Sequence, residues 1–79
     1  MIPKFDLVHI FTYHRPEAED VPKYERLRDA GKAFALVIDE LVPDGADKSD
    51  AIRSVRNAVM TSNAALALGG RLHVPQGGL

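Results

Sequence analysis

The sequence contains no cysteine and no tryptophan among its 79 residues. The absence of cysteine excludes a disulfide scaffold, a thiolate nucleophile and a thiolate-based zinc site. Aromatic residues make up only 6% of the chain, and three histidines are present. Histidine is the one side chain whose ordinary pKa lies near neutral pH. The side chains available for catalysis are therefore few.

A charge excess and a long apolar run are also missing. Ten Lys plus Arg are balanced by eleven Asp plus Glu, for a formal net charge of −1. A protein that coats DNA or RNA is strongly basic, so a nucleic-acid polymer is not expected as a partner. The longest uncharged stretch, residues 57–70, includes polar side chains, whereas a membrane span needs about 20 mostly apolar residues. Residues 1–10 lack a secretory signal pattern, so we expect a cytosolic protein without a membrane partner.

One domain, residues 1–79, is predicted around two long helices. The first is predicted over residues 20–42. Asp20 is a candidate N-cap and Pro22 suits the first turn, where its missing N–H costs nothing. Pro43 ends the helix, because proline disfavours helical geometry in the residue before it.

The second long helix is predicted over residues 47–68. Asp47 or Ser49 is the expected N-cap, and the pair Gly69-Gly70 ends the helix. The remaining segments are an N-terminal arm over residues 1–19 and a glycine-rich tail over residues 69–79. We expect this tail to be flexible.

Apolar and small residues recur at alternating spacings of three and four along both predicted helices. In the first helix they are Tyr24, Leu27, Gly31, Phe34, Ile38 and Leu41; in the second they are Ile52, Val55, Val59, Ser62 and Leu66. The short turn between the helices makes them an antiparallel hairpin. Gly31 is expected to allow a close backbone approach opposite alanine and serine positions. The predicted fold class is therefore all-α.

Other apolar residues lie off these two series. They are Ala30, Ala33, Val37, Ala58, Met60, Ala64, Ala65, Ala67 and Leu68. Two helices that pack along the two series above, called here the seam, leave these flanking residues uncovered. An apolar patch of this extent is unusual on a monomer. We therefore expect a homo-oligomer that buries the flanks, since a short chain gains core in this way. The alternative is an arm that folds back and covers the patch.

The arm gathers most of the aromatic residues. Its alternating residues are Phe5, Leu7, His9, Phe11 and Tyr13. This alternation predicts a short extended segment with its rings on one side, ended by Pro16. Aromatic faces beside histidines, here His9 and His14, suit stacked bases and their phosphates. The alternative is that these aromatic residues pack the arm onto the hairpin and have no ligand.

Two basic residues form a candidate phosphate site on the first helix. Arg28 and Lys32 are four residues apart, so they project from one flank beside the seam. Clustered cations hold phosphate through charge-assisted hydrogen bonds. The alternative is an ordinary solvated face, on which Glu25 and Asp29 pair with these cations.

Signals for an enzyme are weak. The sequence has no helical His-x-x-x-His or Glu-x-x-His spacing for a metal, no Ser/His/Asp arrangement and no phosphate-binding glycine loop. We therefore expect no catalysis, no metal and no cofactor. The pattern is more typical of a binding protein.

Two groups of motifs carry a resemblance to a known family. The first is Phe11-Thr12-Tyr13-His14-x-Pro16, then Tyr24-Glu25-x-Leu27-Arg28-x-Ala30-Gly31-Lys32-x-Phe34-Ala35, then Pro43. The second is Ala51-Ile52-x-x-x-Arg56-x-Ala58-Val59-Met60-x-x-Asn63-Ala64-Ala65-Leu66-Ala67. In order and spacing, over about residues 9–68, they resemble phage anti-CBASS sponges, which share a helical hairpin domain with one class of anti-Thoeris sponge.

The resemblance implies a function and a set of site residues. Such sponges are homohexamers that sequester, without cleavage, the cyclic nucleotides made by a bacterial immune cyclase. By motif position, Tyr13 stacks on the bases and Lys32 contacts the phosphates. Phe11 and His14 are expected as their neighbours, and Arg28 as a further phosphate contact.

The expected function is therefore sequestration of cyclic oligonucleotides, such as the cyclic dinucleotide cGAMP, in the cytoplasm of the infected bacterium. Two alternatives stay open: a sponge for ADP-ribose-derived Thoeris signals, and an adaptor hairpin that binds a protein. Some members carry an arginine soon after the Asn-Ala-x-x-Ala segment, at a second pocket for cyclic trinucleotides. Here the nearest arginine is Arg71, beyond the helix end, so the sequence departs from the family pattern at that position and leaves open whether such a pocket exists.

Overall fold

The structure is a computed structural model that describes residues 3–75. Its helical elements are α1 (Leu7–Phe11), a 3₁₀ turn (Ala18–Asp20), α2 (Val21–Leu41) and α3 (Ala46–Ala67). Within residues 3–75 the only β-type pairing is one isolated bridge. The prediction of an all-α fold is confirmed.

The turn between α2 and α3 follows from Pro43. The residue before it, Val42, is extended (φ −101°, ψ 132°), which ends α2 as predicted. Lys48, in the first turn of α3, then closes the turn. Its ammonium donates to the Asp39 carbonyl oxygen and to Asp44 Oδ1, both at 3.0 Å. Each helix boundary lies within one residue of its predicted position.

Of the predicted N-caps, Asp20 is the N-cap residue of α2, whereas the N-cap of α3 differs from the prediction. Helix α3 begins at Ala46, and Gly45 rather than Asp47 or Ser49 is the N-cap residue. Gly45 supplies the first carbonyl, which accepts from the amide of Ser49 at 3.2 Å, so both polar residues lie inside the helix. Asp20 is the N-cap residue of α2 as predicted; its side chain makes no capping bond and pairs instead with Lys23 at 3.0 Å.

Gly31 brings the two long helices into close contact. A methyl group on Gly31 would lie 2.5 Å from Cγ2 of Val59 and 3.8 Å from Cγ1 of Val55. The close approach was predicted, but the residues opposite are valines rather than alanine and serine. Valine fits here because the missing side chain on α2 leaves room for its branched methyl groups.

Much of the apolar surface stays exposed in the single chain. Buried hydrophobic residues among those described are Ile38 and Leu68 alone, whereas the side chain of Phe34, on the predicted seam, is 59% exposed. An open apolar groove of about 500 Å³ runs along the hairpin, and all its lining residues belong to α2 and α3. The arm therefore does not cover this surface.

The prediction of an extended arm is wrong for residues 7–11, which form α1. Asp6 caps this helix, because its Oδ1 accepts from the amide of His9 at 3.0 Å. The Ile10 amide also donates to the Asp6 carbonyl at 2.9 Å. An alternation of five side chains over residues 5–13 does not separate a strand from a short helix, and Phe11 and Tyr13 do not share a strand face.

The tail was predicted to be flexible, yet its described part pairs with the arm. Gly69 and Gly70 end α3 as predicted, with φ of 61° and 77°, values that glycine adopts without strain. Beyond them Phe5 and His73 form an antiparallel bridge. Residues 76–79 lie outside the described residues.

We expect Gly31→Ala to destabilise the hairpin. The added methyl group must displace Val59, and overpacking of this kind costs about 1–3 kcal/mol, which outweighs the ~1 kcal/mol gain in helix propensity. The measurement is thermal unfolding followed by circular dichroism at one protein concentration.

A second background isolates the contact. Val59→Ala removes the two methyl groups, so Gly31→Ala in that background is expected to leave the unfolding midpoint unchanged or to raise it. An equal fall in the midpoint in both backgrounds would show that Val59 is not the obstacle.

Candidate functional site

A cavity of about 450 Å³ lies between the arm and the end of the hairpin where α2 begins and α3 ends. The antiparallel hairpin places these two helix ends side by side, and the arm closes one wall. The lining residues are Tyr13, His14, Arg15, Pro16, Glu17, Asp20, Tyr24, Leu66, Ala67 and Gly69. Its volume lies in the range of about 300–1,000 Å³ usual for small-molecule sites.

Two tyrosines line this cavity. Tyr13, predicted as a site residue, follows α1 and its side chain is 81% exposed. Tyr24, on the first turn of α2, is half-buried, and its sequence pattern predicts only a place on the seam. The sequence did contain a signal for Tyr24, because it is the first residue of the apolar series on α2. The antiparallel turn places this end of α2 beside the last turn of α3. Exposed aromatic rings provide stacking surfaces for bases.

Charged groups of both signs surround the rings. Arg15 and Glu17 line the cavity with Asp20, and none of the three was predicted as a site residue. Asp20 is the acceptor for Lys23 at 3.0 Å, which leaves its other carboxylate oxygen available. Such a lining offers a guanidinium to phosphate and carboxylates to amino or hydroxyl groups.

The predicted site residues of the arm separate in the structure. His14 lines the cavity with Tyr13, whereas Phe11, the last residue of α1, does not line it and is 83% exposed. An extended strand would place these side chains on one face, but residues 7–11 form a helix and the side chains therefore separate.

Arg28 and Lys32 also lie outside this cavity. They follow Tyr24 by four and eight residues on α2, which is about 6 and 12 Å along the axis. Both are exposed, and the ion pairs within residues 3–75 involve neither of them. The predicted pairing with Glu25 and Asp29 is thus not formed in the described part of the chain.

Two histidines connect the arm to the end of α3. His9 Nε2 donates to the carbonyl of Leu68 at 3.0 Å, and His14 Nε2 donates to the carbonyl of His9 at 2.7 Å. The two rings meet edge to face with centroids 4.7 Å apart. His14 therefore supports the cavity wall in addition to lining it.

An ion pair holds the start of the arm. Arg71 donates to Asp6 Oδ2 at 2.8 Å, and the Asp6 side chain is 23% exposed. The bond from Arg71 lowers the pKa of the Asp6 carboxyl, and the amide of His9 lowers it further against the opposing effect of burial. The carboxylate form is thus the one that the fold stabilises.

Residues 3–75 show no cluster of three or more metal-binding side chains. Over the same residues, none of the helices combines the length and the hydropathy needed to cross a bilayer. The lining of the candidate site combines aromatic and charged side chains with apolar ones from Pro16, Leu66 and Ala67.

A family description, "Acb2/Tad1, hairpin domain", matches residues 6–67, well over half of the chain. The protein belongs to the Acb2/Tad1 hairpin family. This is the anti-CBASS and anti-Thoeris sponge family, as the motifs had indicated. Comparison with curated proteins and with solved structures gave no match.

Membership of the Acb2/Tad1 family implies a sponge for cyclic nucleotide signals. The matched range begins at Asp6, includes Tyr13 and ends at Ala67. It therefore contains every residue that lines the cavity except Gly69. Arg71 and the segment that pairs with the arm lie outside the match.

We expect the pKa of the Asp6 carboxyl to lie below the ordinary aspartate value of about 4. Because the folded pKa is lowered, the stability from this pair is present above the unfolded pKa and is lost as pH falls through the folded pKa. The measurement is a carboxyl-carbon NMR titration, in which Arg71→Gln should raise the Asp6 pKa. Arg53→Gln, which removes a separate exposed ion pair to Asp50, is the control. An Asp6 pKa unmoved by Arg71→Gln would contradict the assignment.

Proposed function

We propose that this protein is a non-catalytic sponge for cyclic dinucleotides such as cyclic GMP–AMP. By holding the intact signal in the cytoplasm of the infected bacterium, it keeps the CBASS effector inactive. Membership of the Acb2/Tad1 family supports this proposal. The cavity supports it as well, since its lining offers aromatic surface for bases, a guanidinium for phosphate and two carboxylates for amino or hydroxyl groups.

The exposure of the Tyr13 ring at the cavity is the observation that best supports the proposal. Its ring is 81% exposed at an open cavity, so it offers a stacking surface that the chain itself does not cover. Stacking of a base on such a ring contributes about 1–3 kcal/mol. This residue also occupies the motif position at which the sponges stack their ligand.

A ligand site shared between two copies accounts for the separation of Tyr13 and Lys32. One chain offers Tyr13 at its cavity and Lys32 about two helical turns beyond Tyr24. A cyclic dinucleotide is nearly two-fold symmetric, so a junction of two copies supplies one tyrosine and one lysine to each half. Two phosphates need only these local cations, which agrees with a formal net charge of −1.

The apolar groove favours assembly of several copies. Its volume is about 500 Å³, and exposed apolar residues extend beyond it, including Leu36, Val37 and Met60. A surface of this kind is costly to leave in water. We therefore propose a homo-oligomer, and the family resemblance points to a hexamer.

Native mass spectrometry tests ligand and assembly together. The protein is mixed with a panel of cyclic dinucleotides, cyclic trinucleotides and cyclic ADP-ribose isomers. A hexamer that retains an unaltered cyclic dinucleotide is the expected result. Retention of an ADP-ribose isomer alone would redirect the proposal to Thoeris signals. An assembly that retains none of these ligands would contradict a sponge and favour an adaptor.

We expect Tyr13→Ala to weaken binding of the retained cyclic dinucleotide by about 5- to 150-fold, the range given by loss of one stacked base. Tyr13→Phe keeps the ring and should bind within a few-fold of the original protein. The dissociation constant is measured by isothermal titration calorimetry, with assembly mass checked in parallel. If Tyr13→Ala disrupts the assembly, the residue has a structural role.

We expect Lys32→Ala to weaken binding by a similar order, since charge-assisted bonds to a phosphate contribute about 1.5–3 kcal/mol. Arg26→Ala is the matched control, because it removes another exposed cation from a different face of α2. Equal losses from both variants would indicate a general charge effect and contradict a specific phosphate contact.

A further inference from the structure

The arm and the tail meet at one end of the hairpin. The Asp6 amide donates to the carbonyl of Leu72 at 2.9 Å, and the Val74 amide donates to that of Lys4 at 2.7 Å. Between these two bonds the rings of Phe5 and His73 stack with centroids 4.9 Å apart. Residues 4–6 are therefore held against residues 72–74 by backbone bonds and a ring stack.

Asp6 and Arg71, called here the clasp, connect this pairing to α1. Asp6 Oδ1 caps the helix through the His9 amide at 3.0 Å, while its Oδ2 accepts from Arg71 at 2.8 Å. The same Arg71 nitrogen donates to the carbonyl of His73 at 3.0 Å. One carboxylate thus joins the first turn of α1 to the segment beyond α3.

Tyr13 has no comparable tether of its own. Its side chain takes part in none of the hydrogen bonds found within residues 3–75. It follows α1, which has no buried residue. Polar contacts hold α1 instead: the clasp at its start and the bond from His9 to Leu68. The position of Tyr13 therefore depends on these contacts.

We propose that the clasp is a positioning device that keeps α1 docked and so holds Tyr13 at the cavity before a ligand arrives. This inference rests on the proposed function, because it gives the clasp a role at the same site. An undocked arm has to be ordered during binding, and that ordering subtracts from the affinity. Arg71 is then a positioning residue that acts through Asp6, and it does not contact the ligand.

Two substitutions separate the clasp from the helix cap. Asp6→Asn keeps an oxygen that can cap α1 but removes the charge that pairs with Arg71. Arg71→Gln removes the other partner, and Arg71→Lys is the conservative variant that keeps the charge. Asp50→Asn is the matched control, because it breaks an exposed ion pair to Arg53 of similar length, 3.0 Å, within α3.

Two measurements are made on each full-length variant. Hydrogen exchange of the amides in residues 6–11 reports whether α1 is docked, with no ligand present. Calorimetry with 3′,3′-cyclic GMP–AMP reports the dissociation constant, and native mass spectrometry verifies that the assembly mass is unchanged.

Asp6→Asn and Arg71→Gln are each expected to speed exchange in α1 and to weaken binding by about two- to tenfold, the effect of ordering about one flexible side chain on binding. The double variant should be no weaker than either single variant, because both remove the same interaction. Arg71→Lys should recover part of the loss, and Asp50→Asn should match the original protein.

Asp6→Asn also distinguishes positioning from direct contact. If Arg71 contacted the phosphates, release from Asp6 would leave binding unchanged or strengthen it, and that result would overturn the inference. Faster exchange with unchanged affinity would show a purely structural clasp, and unchanged exchange would show that the clasp does not dock α1. If the original protein does not bind any nucleotide in the panel, the proposed function fails first and this inference falls with it.

Discussion

The contact of Gly31 with Val59 determines the geometry on which the other features depend. It sets the short distance between α2 and α3, and the turn at Pro43 makes the two helices antiparallel. As a result the first turn of α2 lies beside the last turn of α3, where the cavity forms. Beside this contact the hairpin retains an apolar groove lined by α2 and α3, and Phe34 in that lining stays 59% exposed.

The long helices could be predicted because their ends depend on local chemistry, namely proline geometry at Pro43 and left-handed glycines at Gly69 and Gly70. The arm could not, because five alternating residues do not distinguish a strand from a helical turn capped by Asp6. The prediction of a flexible tail does not hold for residues 71–74, for a different reason. Its glycines indicated flexibility, while the partner that orders it, Asp6, is 65 residues from Arg71 in sequence.

The candidate site shows the same division between local and distant signals. A local motif predicts Tyr13 as a site residue, and in the structure Tyr13 lines a cavity. Tyr24 and Glu17 line the cavity because the arm, α2 and α3 meet there, and no local sequence pattern indicates this meeting. Lys32 came from the same resemblance as Tyr13 but lies outside the cavity of its own chain. The sequence therefore indicates the chemistry of the site residues more readily than their positions relative to one another.

The bridge between Phe5 and His73 has a consequence for the order of folding. Contacts between α2 and α3 close a short turn, whereas this bridge closes almost the whole described chain, at a greater entropic cost. Contacts so distant in sequence form late and slowly. We therefore expect the hairpin to form before the arm docks, and the segment that carries Tyr13 to open early in local unfolding.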